Sequence, residues 1–102
     1  MSEYRQGDIL LVPIPDAPDG PEVARDNGRI ILAYGETTGH AHAIDDTEAR
    51  LIEIETGERF LEILRASDLV HEEHDTVTLP PGTYEVRRQR EYRPEGIIRV
   101  AD

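Results

Sequence analysis

The sequence predicts an all-β protein, a small single-domain β-barrel or sandwich of about eight short strands. Its apolar and β-branched residues fall in short runs, and turn-forming Gly, Pro, Asn and Asp separate these runs. The turn signals recur about every 8–12 residues, a spacing typical of barrels and sandwiches. A chain of 102 residues has the length of one domain, so we assign residues 1–102 to a single unit.

The first predicted strand covers residues 7–14, and its nearly continuous apolar character indicates burial on both faces. A loop over residues 13–28 carries four prolines, which exclude a helix and a central strand. The second strand covers residues 29–34 and ends at Gly35. After a turn, extended structure resumes over residues 40–44.

Two apolar runs at residues 51–54 and 60–64 flank a glycine-containing turn and predict a hairpin. A short helix over residues 58–66 is the alternative, because Phe60, Ile63 and Leu64 also have helical spacing. The remaining strand candidates, separated by turns such as Pro80-Pro81-Gly82 and Pro94-Glu95-Gly96, cover residues 69–71, 76–79, 83–92 and 97–100.

The composition excludes several classes of function. The formal net charge of −11 disfavours general binding to duplex nucleic acid, whose phosphates the surface would repel. The absence of cysteine excludes disulfides, thiolate metal sites and cysteine nucleophiles. No apolar run approaches the roughly 20 residues of a membrane helix, and the N-terminus lacks the layout of a signal peptide. We therefore expect a cytoplasmic protein that does not bind membranes.

The four histidines of the chain form two close pairs, which predict a metal site. His40 and His42 are two residues apart and would share one face of a strand. His71 and His74 are three apart, a spacing that lets both rings converge at a turn. Imidazole favours divalent transition metals, and zinc is the first expectation. A water on the ion would permit hydrolysis. If only three histidines bind, an oxygen ligand could come from Glu72, Glu73 or Asp75.

Three alternatives stay open. A metal-free phosphodiesterase, ribonuclease or nucleotide-binding protein would use His40 and His71 for proton transfer. For this function, an anion clamp could come from Arg88, Arg90 and Tyr92, which alternate on one face of the last long strand. The clamp could bind a phosphate-bearing or other small ligand, or these side chains could simply be solvated. A non-enzymatic adaptor would use its acidic surface to meet a basic partner. Histidines can also gather near surface acids without any function.

A long exposed strand could in addition pair edge to edge into a homodimer.

Two segments resemble the cupin motifs. Gly35, His40-Ala41-His42 and the later Glu48 are similar to the first motif, and Pro81-Gly82 is similar to the turn of the second motif. The resemblance implies a double-sheet barrel in which His40, His42 and Glu48 bind a metal. The sequence departs from the second motif, because no histidine follows Gly82.

A broader resemblance spans most of the chain. Gln6-Gly7-Asp8 and the segments TGHAH, HEEH, LPPGTY and RQREY together resemble a group of small, uncharacterised bacterial proteins. The resemblance implies a bacterial origin and a family-wide role for these segments. It implies no particular activity. Asp8, which follows Gly7, is interpreted as a turn residue.

Overall fold

The computed structural model describes residues 2–35 and 39–88 and confirms the all-β prediction. This part of the chain contains no helix that could cross a membrane. Its strands, in chain order, are β1 (Tyr4–Gln6), β2 (Ile9–Ile14), β3 (Ile30–Tyr34), β4 (Ala41–Ile44), β5 (Arg50–Glu53), β6 (Arg59–Ile63), β7 (Ser67–Val70), β8 (Val77–Leu79) and β9 (Gly82–Arg88).

The strands form two antiparallel sheets, so the molecule is a sandwich rather than a closed barrel. One sheet has the order β1-β2-β9-β6-β5 and the other β3-β4-β7-β8. Both sheets contribute apolar side chains to one core, because alternate residues of each strand face the opposite sheet. The side chains with no exposed area in this core are Leu11, Leu32, Ile44, Leu61, Leu69 and Leu79.

The predicted hairpin at residues 51–64 is confirmed, and the alternative helix is wrong. Strands β5 and β6 pair antiparallel, with Leu51 opposite Leu61. Gly57 closes the turn with a φ of 93° and donates its N–H to the carbonyl of Ile54 at 2.9 Å. The positive φ favours glycine and ends any helical path, so the strand alternation decides the structure.

The first predicted strand begins later than expected, because Gly7 and Asp8 form the loop of a hairpin. Gln6 pairs with Ile9 across this two-residue loop, and Gly7 has a φ of 59°. Such loops favour glycine at the first position. Residues 9–11 are buried as predicted, whereas residues 12–14 are only partly buried. The short strand β1 is an additional element that the apolar pattern does not indicate.

The proline-rich segment is a loop beyond Ile14, and Arg25 ties it to the sandwich. The guanidinium of Arg25 donates to the carbonyls of Asp46 at 2.9 Å and Ala49 at 2.7 Å. Glu22 also forms an isolated bridge to Ile52.

Two predictions near the C-terminus lie outside the described residues. These are the strand at 97–100 and the end of the strand at 83–92.

The carboxylate of Asp46 joins two turns of the sandwich. Its Oδ2 accepts the hydroxyl of Ser67 at 2.6 Å and lies 3.4 Å from Nε of Arg65, while Oδ1 accepts the N–H of Glu48 at 2.8 Å. The hydrogen bonds from Ser67 and from the Glu48 amide, followed by Arg65, lower the pKa of Asp46 to about 2. The ionised form of this carboxylate is therefore favoured by folding.

Asp46 should make the folded state sensitive to acid. Its folded pKa lies below the ordinary value of 3.8, so its stabilisation is complete above about pH 4 and is lost as the pH falls towards 2. We expect Asp46→Asn to lower the melting temperature at pH 7, and the difference from the native chain to shrink towards pH 2. Melting curves at several pH values would measure this. Parallel pH profiles of the two chains would contradict the prediction.

Candidate functional site

The four imidazole rings come together at one end of strand β4. His42 lies on β4 and His40 just before it, while His71 and His74 follow the neighbouring strand β7. The ring centroids are 4.3 Å apart for His42 and His71, 4.6 Å for His71 and His74, 5.6 Å for His40 and His71, and 5.8 Å for His42 and His74. We call these four residues the histidine cluster, and His71 is at its centre.

Two histidines of the cluster and a neighbouring glutamate have the spacing of metal ligands. His40, His71 and Glu72 each offer one ligand atom, and these atoms lie within 4.8 Å of one another. The Oε1 atom of Glu72 accepts the N–H of Ala41 at 3.0 Å. This hydrogen bond lowers the pKa of Glu72, so the side chain is a carboxylate. Two imidazoles and one carboxylate form a donor set that suits zinc.

Gln6 fixes the hydrogen position on His42. The amide nitrogen of Gln6 donates to the carbonyls of Leu69 at 2.8 Å and Asp75 at 2.9 Å. The amide oxygen therefore faces Nδ1 of His42 at 2.9 Å and can only accept a hydrogen bond. Consequently Nδ1 of His42 carries the hydrogen and Nε2 carries the lone pair.

His42 is neutral at physiological pH. Its side chain is only 3 % exposed. Burial, together with the neighbouring His71 and His74, lowers the pKa of His42 to about 4, although the charge of Asp8 opposes the shift. The neutral ring keeps an electron pair on Nε2, so it can bind a metal or accept a proton.

Asp8 faces His42 from the β1–β2 turn. Its Oδ1 lies 3.6 Å from Nε2 of His42, and its Oδ2 accepts Nε–H of Arg88 at 2.7 Å. Burial raises the pKa of Asp8, but the hydrogen bond and charge of Arg88 outweigh this and leave the pKa lowered. Arg88 also donates to the carbonyl of Tyr34 at 3.2 Å, which attaches the end of β9 to β3.

His71 has the opposite hydrogen arrangement from His42. Its Nδ1 accepts the backbone N–H of Glu73 at 3.0 Å, so the neutral ring carries its hydrogen on Nε2. The carboxylate of Glu73 also lies 3.8 Å from Nδ1 of His40. Glu73 therefore contacts the cluster through its backbone and its side chain.

Two glycines bring the backbone close to the cluster. A Cβ on Gly7 would lie 2.7 Å from Nε2 of His74 and 3.2 Å from Cε1 of His42. A Cβ on Gly35 would lie 2.9 Å from Cβ of His40. Contacts below 3.0 Å require a shift of one partner, so larger residues at these positions would displace the imidazoles.

Gly7→Ala should therefore be more damaging than Gly28→Ala. Both glycines have positive φ, 59° and 80°, so alanine meets comparable backbone strain at each position. Only the Gly7 variant also pushes against His74, because nothing lies within 4 Å of a Cβ on Gly28. We expect an additional loss of about 1 kcal/mol in the free energy of unfolding, since the ring can partly move aside. Equal losses in chemical denaturation would contradict this.

The predicted anion clamp is only partly covered by the structure. Arg88 lies beside the cluster, where Asp8 and the carbonyl of Tyr34 accept its hydrogen bonds. Arg90 and Tyr92 lie outside the described residues, so anion binding stays a prediction.

The metal-ligand group contains Glu72, whereas the cupin-like resemblance implies Glu48.

Residues 5–89 match the family described as Domain of unknown function (DUF8820). The match covers well over half of the chain. The chain belongs to this family. Its uncharacterised status agrees with the broader resemblance, whereas the bacterial origin and the cupin-like similarity stay predictions. Comparisons with curated proteins and with solved structures gave no match.

All four histidines of this DUF8820 member lie within the matched span. Asp8 and Gln6 also lie within it, and the sequence did not indicate either of them as a site residue. Asp8 is a turn residue, as interpreted, but its side chain also faces His42. Gln6 is buried, and its amide contacts residues more than 60 positions away. The only sequence signal for either residue is the Gln6-Gly7-Asp8 segment of the broader resemblance.

Proposed function

We propose that this protein binds a divalent transition metal ion, zinc in the first place, through His40, His71 and Glu72. The observation that carries the proposal is the mutual spacing of one potential ligand atom from each residue, within 4.8 Å. Two histidines and one glutamate are the ligand set of some catalytic zinc sites. Three protein ligands would leave a coordination position for water, so hydrolysis is the reaction class that this proposal includes.

The charge around the cluster supports cation binding. Glu72 is held as a carboxylate, and Glu73 lies close to His40. Asp8 brings a further carboxylate to the other side of the cluster. The chain as a whole has a formal net charge of −11, which raises the local concentration of cations.

Metal binding would require a local rearrangement at His71. A ligating imidazole directs a lone pair at the ion and carries its hydrogen on the other nitrogen. Nδ1 of His71 accepts the Glu73 N–H, so that hydrogen bond must break whichever nitrogen binds. Zinc should therefore shift the backbone amide NMR signal of Glu73.

Metal analysis of the full chain, purified without a histidine tag, tests the proposal. We expect at least one equivalent of bound zinc after dialysis, and a higher melting temperature with zinc than with EDTA. At a free zinc concentration 100 times the Kd, binding would stabilise the fold by about 2.7 kcal/mol. Less than a tenth of an equivalent, with no thermal shift from zinc, nickel or manganese, would overturn the proposal.

A metal-free phosphodiesterase is the second candidate, because neutral His42 and Arg88 lie on either side of Asp8. The lone pair on His42 could accept a proton, and the guanidinium could stabilise a phosphate. Cleavage of a generic phosphodiester that survives EDTA and disappears in both His42→Ala and His71→Ala would favour this candidate. Activity that depends on added metal would count against it.

A further inference from the structure

We infer that Asp8 and His42 form a second cation-binding position, next to the one assigned to His40, His71 and Glu72. The inference rests on the proposed function, because it assigns a second ion to the same cluster. Its occupant would be a divalent transition metal of the same kind. The ligand atoms would be Oδ1 of Asp8 and Nε2 of His42.

The first argument is that both atoms offer electron pairs and neither offers a hydrogen. Because the Gln6 amide oxygen faces Nδ1, the neutral His42 ring carries its hydrogen on Nδ1 and keeps its electron pair on Nε2. Oδ1 of the Asp8 carboxylate is also an acceptor. Their separation of 3.6 Å is beyond a hydrogen bond. A cation placed between these two atoms would be attracted by both.

The second argument is the distance itself. Zinc binds histidine nitrogen and carboxylate oxygen at about 2.0–2.2 Å in tetrahedral geometry. Two ligand atoms of one such ion are therefore about 3.3–3.6 Å apart, from the same bond lengths. The measured separation between Asp8 Oδ1 and His42 Nε2 lies at the upper end of that range. Both side chains could bind one ion with little movement.

The third argument is that each ligand is oriented by a partner of its own. Gln6 holds the His42 ring and is itself held by the carbonyls of Leu69 and Asp75. Arg88 binds Oδ2 of Asp8 and leaves Oδ1 directed at His42. Such supporting hydrogen bonds are typical of metal sites, where they fix the orientation of the ligands. Gln6 and Arg88 are thus positioning residues.

The two positions adjoin each other through the rings of His42 and His71, whose centroids are 4.3 Å apart. His71 belongs to the first ligand group, and His42 to the second. Adjacent ions of this kind can bind both oxygens of one substrate group, as in two-metal hydrolases. The chemical class of substrate that fits two such ions is a phosphate or carboxylate.

Calorimetric titration of the metal-free full chain with zinc tests the inference. We expect two equivalents for the native chain and one for Asp8→Asn, because the amide keeps the volume but loses the charge. Glu72→Gln should also bind one equivalent, since it damages only the first position. Glu55→Gln removes one exposed carboxylate from the β5–β6 turn, outside both proposed ligand sets, and should still bind two. Circular dichroism would show that each variant is folded.

The outcomes separate this inference from the proposed function. No binding by the native chain would overturn both. A single equivalent in the native chain that is kept in Asp8→Asn and lost in Glu72→Gln would overturn the second position and leave the first intact. Two equivalents that persist in Asp8→Asn would overturn the role of Asp8. The nitrogen-15 NMR spectrum of the metal-free native chain gives a test that needs no variant, because His42 should carry its hydrogen on Nδ1. Hydrogen on Nε2 would overturn the inference.

Discussion

Replacing His71 with alanine is expected to weaken zinc binding by about 100-fold or more. Loss of a residue that merely supports a ligand costs about 10–100-fold in metal affinity, and loss of a ligand should cost at least as much. His71 is also the central ring of the cluster, in contact with His40, His42 and His74. Competition with a chelating dye would measure the affinities of the native and variant chains.

His74→Ala is the matched control for this experiment. It removes the same kind of side chain from the same cluster, but His74 is outside the group of three potential ligands. We expect its zinc affinity to fall by less than about tenfold. Equal losses in the two variants would contradict the assignment of His71 as a ligand, and an unchanged affinity in His71→Ala would contradict it more strongly.

Gln6→Leu is expected to cost about 2–4 kcal/mol in the free energy of unfolding. The Gln6 side chain is 2 % exposed, and it makes hydrogen bonds to Leu69, Asp75 and His42. Leucine fills similar space but leaves these partners without the amide, and each unsatisfied buried group costs about 1–3 kcal/mol. Water can reach the partly buried carbonyl of Asp75, which keeps the total below the sum. Urea denaturation in EDTA would measure the loss.

Thr78→Val provides the comparison for Gln6→Leu. The Thr78 hydroxyl donates to the Asp68 carboxylate at 2.7 Å, also between two elements, but at an exposed position. Water can replace that bond, so we expect a loss within about 0.5 kcal/mol. If Gln6→Leu were no more destabilising than Thr78→Val, the Gln6 amide would not be an important connection between the sheets.

Much of the strand pattern could be predicted, because short apolar runs and turn residues are local signals. The β5–β6 hairpin follows from two such runs around Gly57. Strand β1 carries no such signal, since Tyr4, Arg5 and Gln6 have mixed polarity and form a strand only by pairing with β2. The sheet order also depends on pairings between distant strands, such as β2 with β9, which local patterns do not contain.

The histidine pairs could be predicted from spacing, but their surroundings could not. His42 and His71 meet because β4 and β7 are neighbours in one sheet, and this pairing is a property of the whole fold. The sequence offers Glu72, Glu73 and Asp75 as equivalent oxygen ligands, and only the distance to His40 and His71 distinguishes Glu72. Gln6 and Asp8 enter the site from the N-terminal hairpin, whose contacts with β7 and β9 span most of the chain.

X-ray absorption spectroscopy of the zinc-loaded full chain would test metal binding by the cluster most directly. It measures the elements and distances around the ion, and imidazole rings give a characteristic outer-shell signal. We predict nitrogen and oxygen ligands at about 2.0–2.2 Å, with outer-shell scattering from about one to two imidazoles per zinc. A chain that takes up no zinc, or zinc whose spectrum lacks imidazole scattering, would contradict the assignment of His40 and His71 as ligands.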